Sequence, residues 1–289
     1  MIVLLGASGY VGGEFIRFFE QNDIDFRMLG RGDCNYYQPQ LLADSLTALD
    51  ARFVINCAGY TGKPNVDACE HQRTDCLQAN AVLPGRINQA CEMAGIPWGH
   101  VSSGCIYNGP AATSQGFREE DPPNFSFRQN NCSFYSGCKA LGEEVLQDAE
   151  RCYIWRLRIP FNEHDSPRNY LSKVMRYQRL LDARNSLSEL GEFVRACYQC
   201  WSSQADFGTY NLTNGGSVTT REVVDMIRRS GIIDKEFNFF ESEAEFMREA
   251  AITPRSNTVL DNSKALAAGL KLSPVTEAIQ RALQNWNNA

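Results

Sequence analysis

The run MIVLLGASGYVG at the amino terminus constrains this chain more than any other stretch. Five apolar residues, Met1 to Leu5, pass directly into Gly6, Gly9 and Gly12, a GxxGxxG spacing. An unbroken apolar run suits a strand buried on both faces of a parallel sheet. Glycines here permit a tight turn and close backbone approach, and the helix that follows aims its amide end at a pyrophosphate. Ser8, Tyr10 and Val11 fill the same turn and helix start. Placement between strand and helix, rather than the triplet alone, makes this a candidate dinucleotide site. The apolar run is too short for a membrane span and has no basic leader, so a cytosolic location is expected.

Downstream the periodicity alternates. A helix is expected from Tyr10 to Asn22, a strand through Asp25 to Leu29, a helix from Gln38 to Leu49 and a buried strand from Arg52 to Cys57. Leu83, Ile87, Ala90, Cys91 and Ala94 recur at helical spacing, ahead of a strand from Ile96 to Val101. This predicts an α/β fold, a Rossmann-type doubly wound parallel sheet with right-handed crossovers. Residues Asn108 to Ser133, rich in Gly, Pro, Asn and Ser, read as a long active-site loop. A helix begins near Tyr135, and a strand runs from Tyr153 to Ile159 until Pro160. Helices near Tyr170 to Leu180, Thr220 to Ser230 and Val275 to Trp286 build a smaller lobe, with Thr219 and Glu222 as a capping box. The expected division is a nucleotide-binding domain over 1–160 and a substrate-binding lobe over 161–289, part of 185–210 returning to the first domain.

Charge narrows the partners. A net charge of −6 with no dense basic run gives no reason to expect nucleic acid or an acidic membrane as partner. Eleven cysteines read as free thiols in a reducing compartment. Cys197 and Cys200 form a CxxC without a second pair, and with three histidines in the chain no metal site is expected.

The second strand leads into Leu29, Gly30, Arg31, Gly32 and Asp33, where the residue that reads the adenosine ribose sits. Arg31 can pair with a 2′-phosphate, which an acidic residue would repel, so NADPH is favoured. Asp33 can instead hydrogen-bond a free ribose, which keeps NADH open. After the third strand, Asn56, Ala58 and Gly59 flank Cys57 as small or polar residues over which a cofactor can lie.

Tyr135 and Lys139, four apart at a helix start, project from one face. A nearby ammonium lowers a tyrosine pKa from about 10, which would make Tyr135 a workable acid toward a carbonyl oxygen. Ser103 ends the strand begun at Ile96 and can share that oxygen. Ser102 competes, because alternation lets only one of the two face inward. Cys105, two residues on, falls on the side of Ser103 in extended backbone, with a core cysteine as the alternative.

Taken in order, GASGYVG, the NCAG at Asn56, Ser103 and the Tyr135/Lys139 pair resemble the extended short-chain dehydrogenase/reductase family. More narrowly, the chain resembles the nucleotide-sugar 3,5-epimerase/4-reductases of rhamnose synthesis, relatives of dTDP-4-dehydrorhamnose reductase and GDP-fucose synthase. GKPNVDACE at Gly62, SSGCIY at Ser102, EEDPPNF at Glu119, RLRIP at Arg156, PRNYLSK at Pro167 and PRSNTVLD at Pro254 carry that likeness across essentially the whole chain.

The resemblance implies reduction by Ser103, Tyr135 and Lys139, and epimerisation by Cys105 with Lys173. The GDP-fucose enzymes carry histidine at the position of Lys173. Dehydratases carry an Asp-Glu pair where this chain has Gly104 and Cys105, which argues against dehydration. Asn65, Asn169 and Arg255 are nominated for the substrate's diphosphate and base, and these residues do not distinguish uracil from thymine. A homodimer through helices beside the Tyr135 helix is a habit of the family. The implied reaction turns a UDP- or dTDP-4-keto-6-deoxyglucose into the L-rhamnose nucleotide. A monofunctional 4-reductase, a GDP-fucose synthase-like enzyme and a non-catalytic regulatory subunit are the alternatives.

Overall fold

The first strand, Ile2–Leu5 (β1), is buried at every position. The computed structural model, which describes residues 1–287, pairs it in parallel with Phe26–Leu29 (β2) and Phe53–Asn56 (β3). Trp98–Ser103 (β4), Cys152–Leu157 (β5) and Gly208–Asn211 (β6) complete an all-parallel sheet in the order β2-β1-β3-β4-β5-β6. The order reverses between β1 and β3, and open α/β sheets bind ligands in the crevice at such a switch point.

Helices cover both faces. Tyr10–Gln21 (α1), Pro39–Ala48 (α2), Leu83–Ala94 (α3) and Phe134–Val145 (α4) alternate with the strands as the periodicity predicts. Tyr170–Arg176 (α5), Leu190–Ser202 (α6), Thr220–Ser230 (α7) and Val275–Gln284 (α8) follow. On one face Phe15 and Phe19 of α1 and Phe193 and Val194 of α6 pack against Ile2, Leu4 and Phe53. On the other, Leu42 and Leu46 of α2 and Leu83 and Ile87 of α3 pack against Val3, Leu5 and Val54. Burying each such side chain contributes about 1.5–3 kcal/mol, so the period-2 strands and period-3.6 helices lock in one register. A third core, with Leu171, Val174, Val223, Ile227, Ile279 and Leu283, unites α5, α7 and α8 in a smaller lobe. Residues 190–211 return from there to supply α6 and β6 to the large sheet.

Some local expectations change. The helix at Tyr170 stops at Arg176, because Lys235 Nζ takes the carbonyls of Met175 (2.9 Å) and Tyr177 (2.6 Å). Arg179–Leu180 then pairs with Asn238–Phe239 as a short ribbon. A π-helical turn, Gln78–Val82, precedes α3 and holds the buried Asn80, whose side chain binds the backbone N–H and C=O of Tyr60. The capping box of Thr219 and Glu222 is present. The loop before α4 is pinned by the C-terminal segment, through Gly109 N to Asn257 O (2.8 Å) and Phe117 N to Val259 O (2.9 Å). All eleven cysteines are free, and no helix among the described residues is long and apolar enough to cross a membrane.

Candidate active site

The nucleotide end is built from backbone. Gly6 has φ +76°, and a Cβ there would lie 2.3 Å from Ala58 N; a Cβ at Gly12 would lie 2.3 Å from Gly6 O. Leu5 and Asn56 are register partners, so the glycine turn and the Asn56–Gly59 segment close on each other at the switch point. Gly9 caps α1 with no side-chain hydrogen bond, which leaves the first amides of the helix for an anion. A cradle this tight fits a dinucleotide pyrophosphate. Ser8 and Gly9 are exposed there, and Val11 packs inward. Tyr10 turns its hydroxyl away, donating to Asn162 Oδ1 (3.1 Å). Asn56 is buried; its Oδ1 accepts Ala58 N (2.9 Å) and its amide meets His100 Nδ1 (3.0 Å), so it shapes the turn from behind. Asp33 Oδ2 accepts Gly30 N (2.8 Å) and closes the turn after β2. Arg31 is exposed with no ion pair among the described residues.

Across the crevice, Ser133 caps α4 by accepting Ser136 N (3.1 Å), which fixes Tyr135 in the first turn. Ser102 donates to the buried Glu143, itself paired with Arg156 (2.7 Å), so Ser103 is the serine left facing the cleft. Ser103 hydrogen-bonds Tyr135 and accepts Cys105 N (3.2 Å), capping the 3₁₀ turn Gly104–Ile106. Lys139 is buried, donates to Val101 O (3.2 Å), and its Nζ lies 3.9 Å from the Cβ position of Gly59. Cys105 is buried against the hydroxyls of Ser103 and Ser136. Ser103, Cys105, Tyr135 and Lys139 therefore form one cluster.

Burial governs its charges. The expected drop in the Tyr135 pKa is reversed: desolvation pushes the phenol well above 10.0, the Cys105 and Cys76 thiols add to it, and the Ser103 hydrogen bond opposes it. Tyr135 thus stays protonated, a donor rather than a phenolate. Burial lowers the Lys139 pKa, against the pull of Cys105 and Glu143. Burial raises the Cys105 thiol, while Ser103, Ser136, Arg158 and Lys139 favour its anion. Behind Tyr135 pack three buried thiols, Cys69, Cys76 and Cys138.

The remaining candidates scatter. Lys173 is half-buried in α5, its ammonium without a hydrogen bond or ion pair among the described residues, and its pKa is lowered by burial and then by Arg168. Arg168 crosses to the first domain, donating to Thr61 Oγ1 (3.0 Å) and Gly62 O (2.8 Å). Asn65 Oδ1 accepts Asp67 N (2.8 Å), and Arg255 closes its fork on both Asp67 oxygens (2.7 Å each). Asn169 is fully buried as the N-cap of α5, accepting Leu171 N and donating to Asn162 O and His164 O, so its side chain organises the start of that helix. Sequence reasoning passed over Asn80, Arg158 and Arg168, whose partners lie 20 to 107 residues away.

A protonated phenol bonded to a serine, beside a buried lysine that faces the nucleotide crevice, can give a proton to a carbonyl oxygen as that carbonyl is reduced. The fold and this site define an NAD(P)H-dependent oxidoreductase of the extended short-chain dehydrogenase/reductase kind. The RmlD substrate binding domain family matches residues 1–288, and the chain belongs to that family. It is 29% identical over 282 residues to a bifunctional dTDP-4-dehydrorhamnose 3,5-epimerase/dTDP-4-dehydrorhamnose reductase of Arabidopsis thaliana, covering 96% of this chain and 90% of that one. The fold matches the L780 UDP-rhamnose synthase of Acanthamoeba polyphaga mimivirus at a TM-score of 0.88, with 20% identity and 98% of both chains covered. It also matches a dTDP-4-dehydrorhamnose reductase of Bacillus anthracis in complex with NADP, at 0.81 and 17% identity over 99% and 97% of the two chains.

Proposed function

We propose that the chain converts a UDP- or dTDP-4-keto-6-deoxyglucose to the L-rhamnose nucleotide by epimerising C3 and C5 and reducing the C4 ketone. The observation that carries this reading is Cys105 in the same hydroxyl cluster as Ser103 and Tyr135. Bound NADPH supplies the hydride. Ser103 holds the C4 oxygen and Tyr135 protonates it, with Lys139 on the cofactor side of the phenol. The same C4 ketone acidifies the protons on C3 and C5, so Cys105 as thiolate removes one and Lys173 returns one from the opposite face. Arg31, free of a counter-ion while Asp33 is tied to Gly30, supports NADPH over NADH. Asn65 and Arg255 flank the nucleotide. The relative of A. thaliana, covered almost end to end, is described with both activities.

One observation favours a simpler reading, 4-reduction of a sugar epimerised by another enzyme. Burial raises the Cys105 thiol, which suits a pocket liner. Incubating UDP- and dTDP-4-keto-6-deoxyglucose in D2O without NADPH separates the two, because epimerisation washes deuterium into C3 and C5. Adding NADPH and following products by NMR then reports the sugar formed. No label with intact reduction leaves the 4-reductase. Turnover of GDP-4-keto-6-deoxymannose alone moves the chain to the GDP-fucose group, and cofactor binding without turnover of any such sugar points to a regulatory subunit.

A cytosolic location agrees with eleven free thiols. A homodimer is the expected state, joined across α3 and α4, where Leu77, Ala81, Val82, Leu141 and Val145 line an apolar groove. Light scattering of the purified chain tests that.

A further inference from the structure

We propose that Arg158 is the positioning residue for Cys105, a buried guanidinium whose charge favours the proton-abstracting, anionic form of this thiol against the cost of burial. The inference rests on the epimerase reading above.

Leu157 is the register partner of Ser103, so Arg158 and Cys105 leave neighbouring strands at the same carboxyl edge of the sheet. Arg158 is 6% exposed. Its Nη2 donates to Asn185 Oδ1 (2.6 Å) and to Ser256 O, and its backbone N to Ser188 Oγ (3.1 Å). Its Nε is buried without any partner. Two residues earlier, Arg156 is equally buried but discharged on Glu143. No carboxylate among the described residues pairs with Arg158; neutral acceptors fix the side chain and leave its charge unspent. Asn185 Oδ1 also accepts Thr258 N (2.9 Å), which ties that grip to the C-terminal segment.

A buried cation without a counter-ion is costly to keep, and it fits a site where an anion forms during turnover. The groups its charge acts on are Cys105, then Tyr135 and Tyr170. Burial lowers the guanidinium pKa to about 10, as the absence of a carboxylate requires, and it stays charged at neutral pH. The groups facing Cys105 are Ser103 from the end of β4, Tyr135, Ser136 and Lys139 from α4, Cys132 before it, and Arg158. Lys139 donates to Val101 O on the α4 side, while Arg158 brings a buried Nε without a partner from the β5 side. In the step it serves, the Cys105 sulfur takes the proton from C3 or C5 and the C–H electron pair moves into the C4 carbonyl as an enolate. The thiolate becomes a thiol, and no redox partner is needed.

The test uses Arg158→Gln and Arg158→Lys in the full chain, with Cys105 alkylation by iodoacetamide followed across pH by peptide mass spectrometry. Arg158→Gln is expected to move the profile to higher pH, with roughly tenfold slower alkylation at neutral pH, tenfold being one unit of pKa. Deuterium wash-in should fall by a similar factor, and by more than NADPH oxidation on an already epimerised 4-keto sugar. Arg158→Lys, which keeps the charge, should hold closer to the wild-type profile; should the glutamine variant not fold, Arg158→Met, of similar volume, replaces it. A profile that superimposes on wild type, or equal losses of wash-in and reduction, overturns the proposal. Absence of wash-in by the wild-type chain overturns the epimerase reading instead, and the alkylation profile is read independently of it.

Discussion

The two halves of the cleft are built differently. The proposed reducing half comes from one strand end and one helix: Ser103 closes β4, Tyr135 and Lys139 share the first turns of α4, and Lys139 is bonded back to Val101 of β4. The proposed epimerising half spans two lobes. Cys105 follows β4, whereas Lys173 rides on α5, and that lobe reaches the first domain through Arg168 to Thr61 and Gly62 and through Arg255 to Asp67. Geometry held by one helix and one strand is preset. The proposed acid–base pair is instead drawn from two lobes, so its spacing rests on the contacts between them.

Substitution should pull the halves apart. Tyr135→Phe removes the proton donor and is expected to slow NADPH oxidation by about 10²–10⁴-fold, while deuterium wash-in without cofactor persists; loss of both together would mean the halves are not separable. Cys105→Ser should do the reverse. Wash-in falls by at least ~10²-fold, the usual share of a general base, and reduction of an already epimerised sugar falls far less.

pH should sharpen the same contrast. Cys105 acts as a base only when deprotonated, and burial places its pKa above the ordinary 9.0. Wash-in should therefore rise with pH from neutral, approaching about tenfold per unit, until Lys173, whose pKa burial lowers, loses the proton it returns. Tyr135 acts as an acid only when protonated, and its pKa lies well above 10.0, so the rate of NADPH oxidation should show no loss from this group over the same range. Parallel profiles would assign both steps to one group.

Smaller effects test the supports. Arg31→Ala should raise the KM for NADPH roughly tenfold, as expected for losing one charge-assisted contact. NADH kinetics and cofactor-free wash-in should stay level. Arg168→Ala cuts the tether to Thr61 and Gly62, and a few-fold drop in wash-in relative to reduction is expected, about 1 kcal/mol of lost positioning. An unchanged ratio would show that the lobe needs no such strap.

Legibility in the sequence follows the range of the interactions. The glycine turn was readable because Gly6, Gly9 and Gly12 answer to a strand, a turn and a helix within a dozen residues. Tyr135 and Lys139 were readable because four residues make a helical neighbour. The choice between Ser102 and Ser103 stayed open, since it depends on Glu143 and Arg156, distant in sequence. That Asn169 caps α5 was not legible either, because a motif match does not tell which backbone amide a side chain meets.

The amino-acid order by itself determined the parallel α/β sheet, the glycine turn and the order of the proposed reducing residues, because period, glycine placement and i to i+4 spacing are local. Tertiary structure decided the charges and the company. An ammonium nearby suggested a lowered Tyr135 pKa, yet the apolar wall of Cys69, Cys76 and Cys138 and the burial around the ring raised it. Arg158 reads as one more basic residue until β5, Asn185 and the Ser256 carbonyl enclose it without a carboxylate. Desolvation sums over every atom around a group, and those atoms come from segments more than a hundred residues apart in the chain.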